Sequence, residues 1–149
     1  MPTGVRRVTP APSLGSPALY DRAVTTFYDI DAANARIPVV RDVLTLLRDQ
    51  LAELARLREE SLAPDLEEAD TRRLELRISG IVDQMHASVA RIDAWSITLR
   101  DIGTGLIDFP ALVNGRQVCL CWQLGEDEVE WWHEMSTGFA GRLPLAELS

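Results

Sequence analysis

The chain has 149 residues, with 23 Asp plus Glu against 15 basic residues and a formal net charge of −8. That length suits one domain, and 46% hydrophobic with 26% charged residues is a globular composition, not a disordered one. The acidity excludes a general nucleic-acid binder or a polybasic membrane reader, since both need clustered cations. Every base is Arg, so lysine Schiff-base chemistry and P-loop phosphate binding are excluded too.

In chain order, Pro2, Pro10, Pro12 and Pro17 with Gly4, Ser13, Gly15 and Ser16 predict a flexible extension over residues 1–26. Arg6 and Arg7 are followed by no apolar h-region, and no run approaches the ~18 apolar residues of a membrane span. The expectation is a cytoplasmic chain with no membrane partner. A single domain is placed at 27–149, divided into a helical hairpin over 27–96 and a Trp-rich β-unit over 97–149.

Asp29 or Asp31 can cap a helical turn, after which Pro38 starts the main helix or kinks it. Ile37, Val40, Leu44, Leu47, Leu51 and Leu54 then recur at three and four residues, the coiled-coil rhythm of a helix laid along a partner. Ser61 to Pro64 breaks the run. A second stripe follows through Leu74, Ile78, Ile81, Met85, Val89, Ile92 and Trp95, and the short connection predicts antiparallel neighbours. Both helices are longer than a small β-unit can cover, so part of the stripe needs a further partner, most simply a second copy in a four-helix arrangement. The alternative is that the N-terminal segment or the β-unit folds back over the hairpin.

After Ile97 the period becomes alternating. Ile97 and Leu99, then Leu106, Ile107 and Phe109, then Val118 to Gln123, then Val129 to His133 read as short strands. Gly103 and Gly105, a type I′ turn at Asn114 and Gly115, and Gly125 separate them. Val129 to Glu134 has a short helix as its alternative. The fold class is therefore α+β, an antiparallel helical hairpin followed by a small antiparallel β-unit.

Residues 105–145 read GLIDFPALVNGRQVCLCWQLGEDEVEWWHEMSTGFAGRLPL. This resembles the signature of a bacterial family without assigned function, domain-of-unknown-function family 2203, whose pattern runs GLxDFPA, LCWxLGE, WHE, GFAGRxP. The matching positions are Gly105, Leu106, Asp108 to Ala111, Leu120 to Trp122, Leu124 to Glu126, Trp132 to Glu134, Gly138 to Arg142 and Pro144. Asp31 to Pro38 is similar to the family's helix start, while Cys119 and Trp131 stand outside the pattern. The resemblance implies a domain type and no activity.

Cys119 and Cys121 read as reduced thiols, because side chains two apart on a strand are badly placed for a mutual disulfide. With His133 they are weak metal candidates, zinc being the cation such donors suit, although a fourth ligand is missing locally. Sheet register decides: if Cys119 faces His133, Cys121 faces Trp131 and the groups share a side, whereas a shift of one residue sends His133 to the opposite face. His133 and Glu134 start an HExxH motif that Thr137 ends. Acid and base work by Asp108, His133 and Glu134 remains an option, without a nucleophile motif beside it. Arg142, delivered by the Gly138 to Gly141 loop, can hold an anion or fork onto a carboxylate such as Asp108 or Glu134. Residues 101–149 hold eight acids and only two bases, Arg116 and Arg142, so those two are expected among carboxylates. Trp122, Trp131 and Trp132 are expected in the core.

The function expected first is a cytoplasmic interaction module that self-associates through its hairpin, as a homodimer with an unidentified protein partner and no nucleic acid. The alternative is a small-ligand or metal site on the β-unit, with catalysis the less favoured option and no cofactor predicted. Its candidate residues are Asp108, Arg116, His133, Glu134 and Arg142.

Overall fold

Asp29 sets where the first helix begins. Its backbone is extended, and its Oδ1 accepts the N–H of Ala32 at 2.7 Å, meeting one of the donors a helix start leaves open. In the computed structural model, which describes residues 25–148, helix α1 runs Ile30–Glu60 and contains Pro38 instead of starting at it. Pro38 has no N–H for the turn before it. In that preceding turn, Asn34 sends its side-chain oxygen out to the Val129 N–H at 2.8 Å. Apart from Thr25 and Thr26, the expected extension over 1–26 lies outside the described residues. Thr26 N–H donates to Ser96 Oγ at 2.8 Å.

Helix α2 spans Glu68–Ala94. Gln50 meets Gln84 and Glu53 meets Arg77, so the chain descends α2 as it climbs α1, and the hairpin is antiparallel as the short loop requires. The buried row of α1 runs Ala33, Ile37, Val40, Val43, Leu44, Leu47, Leu54 and Leu57, but Leu51 of the expected stripe stands open. On α2, Leu74, Met85, Ser88 and Ile92 are buried, with Ile78, Ile81 and Val89 half-buried against the same core. No helix among the described residues is long and apolar enough to cross a membrane.

Five strands follow: β1 Thr98–Asp101, β2 Leu106–Val113, β3 Arg116–Gln123, β4 Trp131–Glu134 and β5 Leu143–Pro144. They form one antiparallel sheet in chain order. The β2–β3 turn is Asn114 (φ 53°) and Gly115 (φ 79°), the two left-handed residues of a type I′ hairpin. Val129 to Glu134 contributes a strand and not a helix, although β4 begins only at Trp131, and β5 was not expected from the sequence.

Alternation divides the sheet into two faces. Ile107, Phe109, Ala111, Val118, Leu120, Trp122 and Trp132 join Ile37, Val40, Leu44, Leu47 and Ile92 in the core, so this face packs on the hairpin. Where β1 stops pairing, Tyr28 takes the edge: its N–H donates to the Pro110 carbonyl at 2.8 Å and its ring meets Phe109 edge-on at 5.0 Å.

Gly105 closes the turn before β2 at φ +68°, and a Cβ there would sit 2.5 Å from Leu124 Cβ. Both conditions demand glycine. Gly105→Ala is expected to cost about 2 kcal/mol of unfolding free energy, read from denaturant melts; a midpoint equal to wild type would contradict the close approach.

Candidate functional site

The face of the sheet turned away from the helices carries the polar residues. Register puts Asp108 opposite Cys121 and Cys121 opposite Trp131, while Pro110 faces Cys119 and Cys119 faces His133. This is the register in which the thiols and His133 share a side. Three adjacent strands therefore each bring one chemically active side chain to neighbouring positions: Asp108 from β2, Cys121 from β3 and His133 from β4. All three are buried, at 2%, 0% and 1% exposure.

Buried polar groups must be bonded, and Asp108 and His133 are. Arg100 Nε donates to Asp108 Oδ2 at 2.6 Å, and His133 Nε2 lies 2.9 Å from Asp108 Oδ1. His133 Nδ1 is 2.7 Å from the Glu134 carbonyl; a carbonyl only accepts, so Nδ1 carries a proton. One carboxylate oxygen of Asp108, the Cys121 sulfur and one ring nitrogen of His133 all lie within 4.8 Å of one another.

Burial, followed by the charge of Asp108, pushes the Cys119 thiol up to about 11 and the Cys121 thiol up to about 12. Both are free, and Cys119 Sγ is turned to Met135 Sδ at 3.5 Å.

The other candidates are engaged elsewhere. Glu134 faces Val118 across the strands, on the helix side, and both its carboxylate oxygens take Arg116 Nη1 at 2.5 Å. It reaches His133 only through its backbone carbonyl. Arg142 Nη2 donates to Glu126 Oε2 at 2.7 Å, so its carboxylate is Glu126 and neither Asp108 nor Glu134. Glu126 also accepts from Gln123 N–H at 2.8 Å, and its carbonyl takes the Trp122 indole N–H at 3.1 Å. The guanidinium of Arg142 stacks 4.7 Å from Trp131 and 4.6 Å from Phe139. Trp122 and Trp132 are core residues, whereas Trp131 lies half-buried beneath Arg142. Both bases of the tail are thus paired with carboxylates, as the local charge imbalance requires.

Arg100 and Glu126 are the residues that reading the sequence missed. Arg100 stands one residue before the acidic stretch 101–149. Thr98 faces Asp108 across β1–β2, the pairing shifts register between Leu99 and Asp101, and Arg100 at that shift reaches the same carboxylate; no local signal in the sequence announces this.

The thiols yield a pH prediction. An unfolded thiol loses its proton near 9.0, the folded ones at about 11 and about 12. Between those values the unfolded state binds fewer protons, so stability is complete below pH 9 and falls as pH rises toward 12. Chelator-treated protein should show this decline in denaturant melts, and the Cys119→Ser, Cys121→Ser double variant should lose it. An identical decline in the double variant would assign the effect to other groups.

The family described as "Uncharacterized conserved protein (DUF2203)" matches residues 26–145. No curated protein and no solved structure matches the chain. The match takes in α1, α2, strands β1 to β4, β5 and the whole of the Asp108, Cys121 and His133 group, and the chain belongs to this family of uncharacterised conserved proteins.

Proposed function

We propose that this chain is a cytoplasmic protein–protein interaction module that pairs with a second copy of itself through the part of its hairpin lying beyond the sheet. The observation that supports this is Leu51. It lies four and seven residues after Leu47 and Leu44, hence on the same side of α1, yet those two are fully buried and Leu51 is 38% exposed. The 31 residues of α1 extend over about 46 Å, whereas the eight residues of β2 or β3 extend over about 27 Å. Helix α1 is therefore longer than the strands it packs on, and between Leu47 and the buried Leu54 and Leu57 it leaves Leu51 open. A second hairpin laid against it covers Leu51 and makes a four-helix arrangement.

The surroundings fit such a contact. Arg56 pairs with Glu53 and Glu60, and Arg77 with Glu53, a mixed-charge rim of the kind that borders apolar interface centres. The net charge of −8 favours a protein partner over nucleic acid or an anionic membrane. Two free cysteines suit a reducing compartment.

Light scattering at micromolar concentration should give twice the 16.6 kDa chain mass, and Leu51→Glu should return it to one chain with its far-ultraviolet circular dichroism unchanged. A single-chain mass for the wild type rejects the reading.

A further inference from the structure

We propose that the outer face of the sheet binds one divalent d-block cation of the zinc class, held by Asp108 Oδ1, Cys121 Sγ and His133 Nε2. This site lies on the face of the sheet opposite the hairpin and does not depend on self-association.

The argument begins with an electrostatic demand. His133 Nδ1–H is committed to the Glu134 carbonyl, and Nε2 lies 2.9 Å from Asp108 Oδ1; in the neutral imidazole the Nε2 lone pair faces that oxygen. Two facing lone pairs in a buried place need a cation between or beside them, either a proton or a metal ion. Cys121 makes the metal the fuller answer, because its sulfur belongs to the same group of atoms within 4.8 Å of one another. Tetrahedral zinc, with bonds of about 2.0–2.3 Å, holds such donors roughly 3.5 Å apart, so Nε2 and Oδ1 open slightly from 2.9 Å while the Cys121 sulfur closes in, and the fourth position is left for a ligand from outside the three.

The neighbours orient these donors as metal-site neighbours do. The Glu134 carbonyl fixes the His133 tautomer that exposes Nε2. Arg100 occupies Asp108 Oδ2, which leaves Oδ1 as a single-oxygen ligand. One carboxylate and one thiolate balance the double charge of the ion, and the loss of the thiol proton accompanies binding. The mixed oxygen, nitrogen and sulfur set suits zinc and disfavours calcium or magnesium, which take oxygen donors. Because the three ligands come from three adjacent strands and are almost fully buried, the ion pins β2, β3 and β4 together. Cys119, with its sulfur on Met135, is outside the ligand set.

Chelator-stripped full chain, titrated with zinc against a chromophoric chelator, should take up one ion per chain. Cobalt(II) in its place should give a thiolate-to-metal charge-transfer band. Cys121→Ser should abolish that band and weaken zinc by at least about 100-fold, and His133→Gln should weaken zinc similarly. Cys119→Ser should keep the band and bind within a few-fold of wild type. Circular dichroism checks each fold, and should His133→Gln unfold, the contrast between the two cysteine variants decides alone. Failure of the wild type to take zinc from the competitor, or equal losses in Cys119→Ser and Cys121→Ser, overturns the proposal.

Discussion

The outer face of this sheet depends on the two-residue turn at Asn114 and Gly115. Both residues hold left-handed backbone, and a type I′ turn of that length allows one pairing of the strands it joins. From Val113 opposite Arg116 the register runs back to Asp108 opposite Cys121. A slip of one residue would carry Cys121 into the hydrophobic face and Trp122 out of it. The burial of Trp122, Phe109 and Ile107 against the helices and the gathering of Asp108, Cys121 and His133 on the far side are therefore one constraint seen from two faces.

Charge is organised around the same sheet. Its arginines are distributed one to each cluster of acids: Arg100 on Asp108, Arg116 on Glu134 and Arg142 on Glu126. The first of these pairs is the most consequential, because Asp108 is buried while Arg100 is 43% exposed, so the ion pair joins an interior carboxylate to the surface. An unpaired carboxylate at that depth would be costly. Arg142 does comparable work for the tail, since it is bonded to Glu126 and stacked between Trp131 and Phe139, holding the segment after β4 to the sheet.

Helix and sheet divide the remaining tasks unequally. The half of the hairpin near the sheet is core, with Ile37, Val40, Leu44 and Leu47 set against strand side chains. In the other half helix packs on helix, and there Leu54, Leu57 and Leu74 are buried while Leu51 of the same repeat is left exposed. The same apolar repeat thus yields two kinds of surface according to what lies beyond it.

Much of this was legible in the residues alone. Helical periodicity, the breaks at Ser61 to Pro64, the alternation after Ile97 and the Asn114–Gly115 turn are local signals, and local backbone preferences determine them. The pairing of Arg116 and Arg142 was legible as well, because two bases among eight acids have carboxylates on every side. What only the tertiary structure decided was identity across distance: that Leu51 is left open, that Arg142 takes Glu126, and that Asp108 meets Arg100, Cys121 and His133. Those outcomes depend on where the sheet ends and on which strands lie side by side, and a chain's local preferences carry no record of either until its faces are packed.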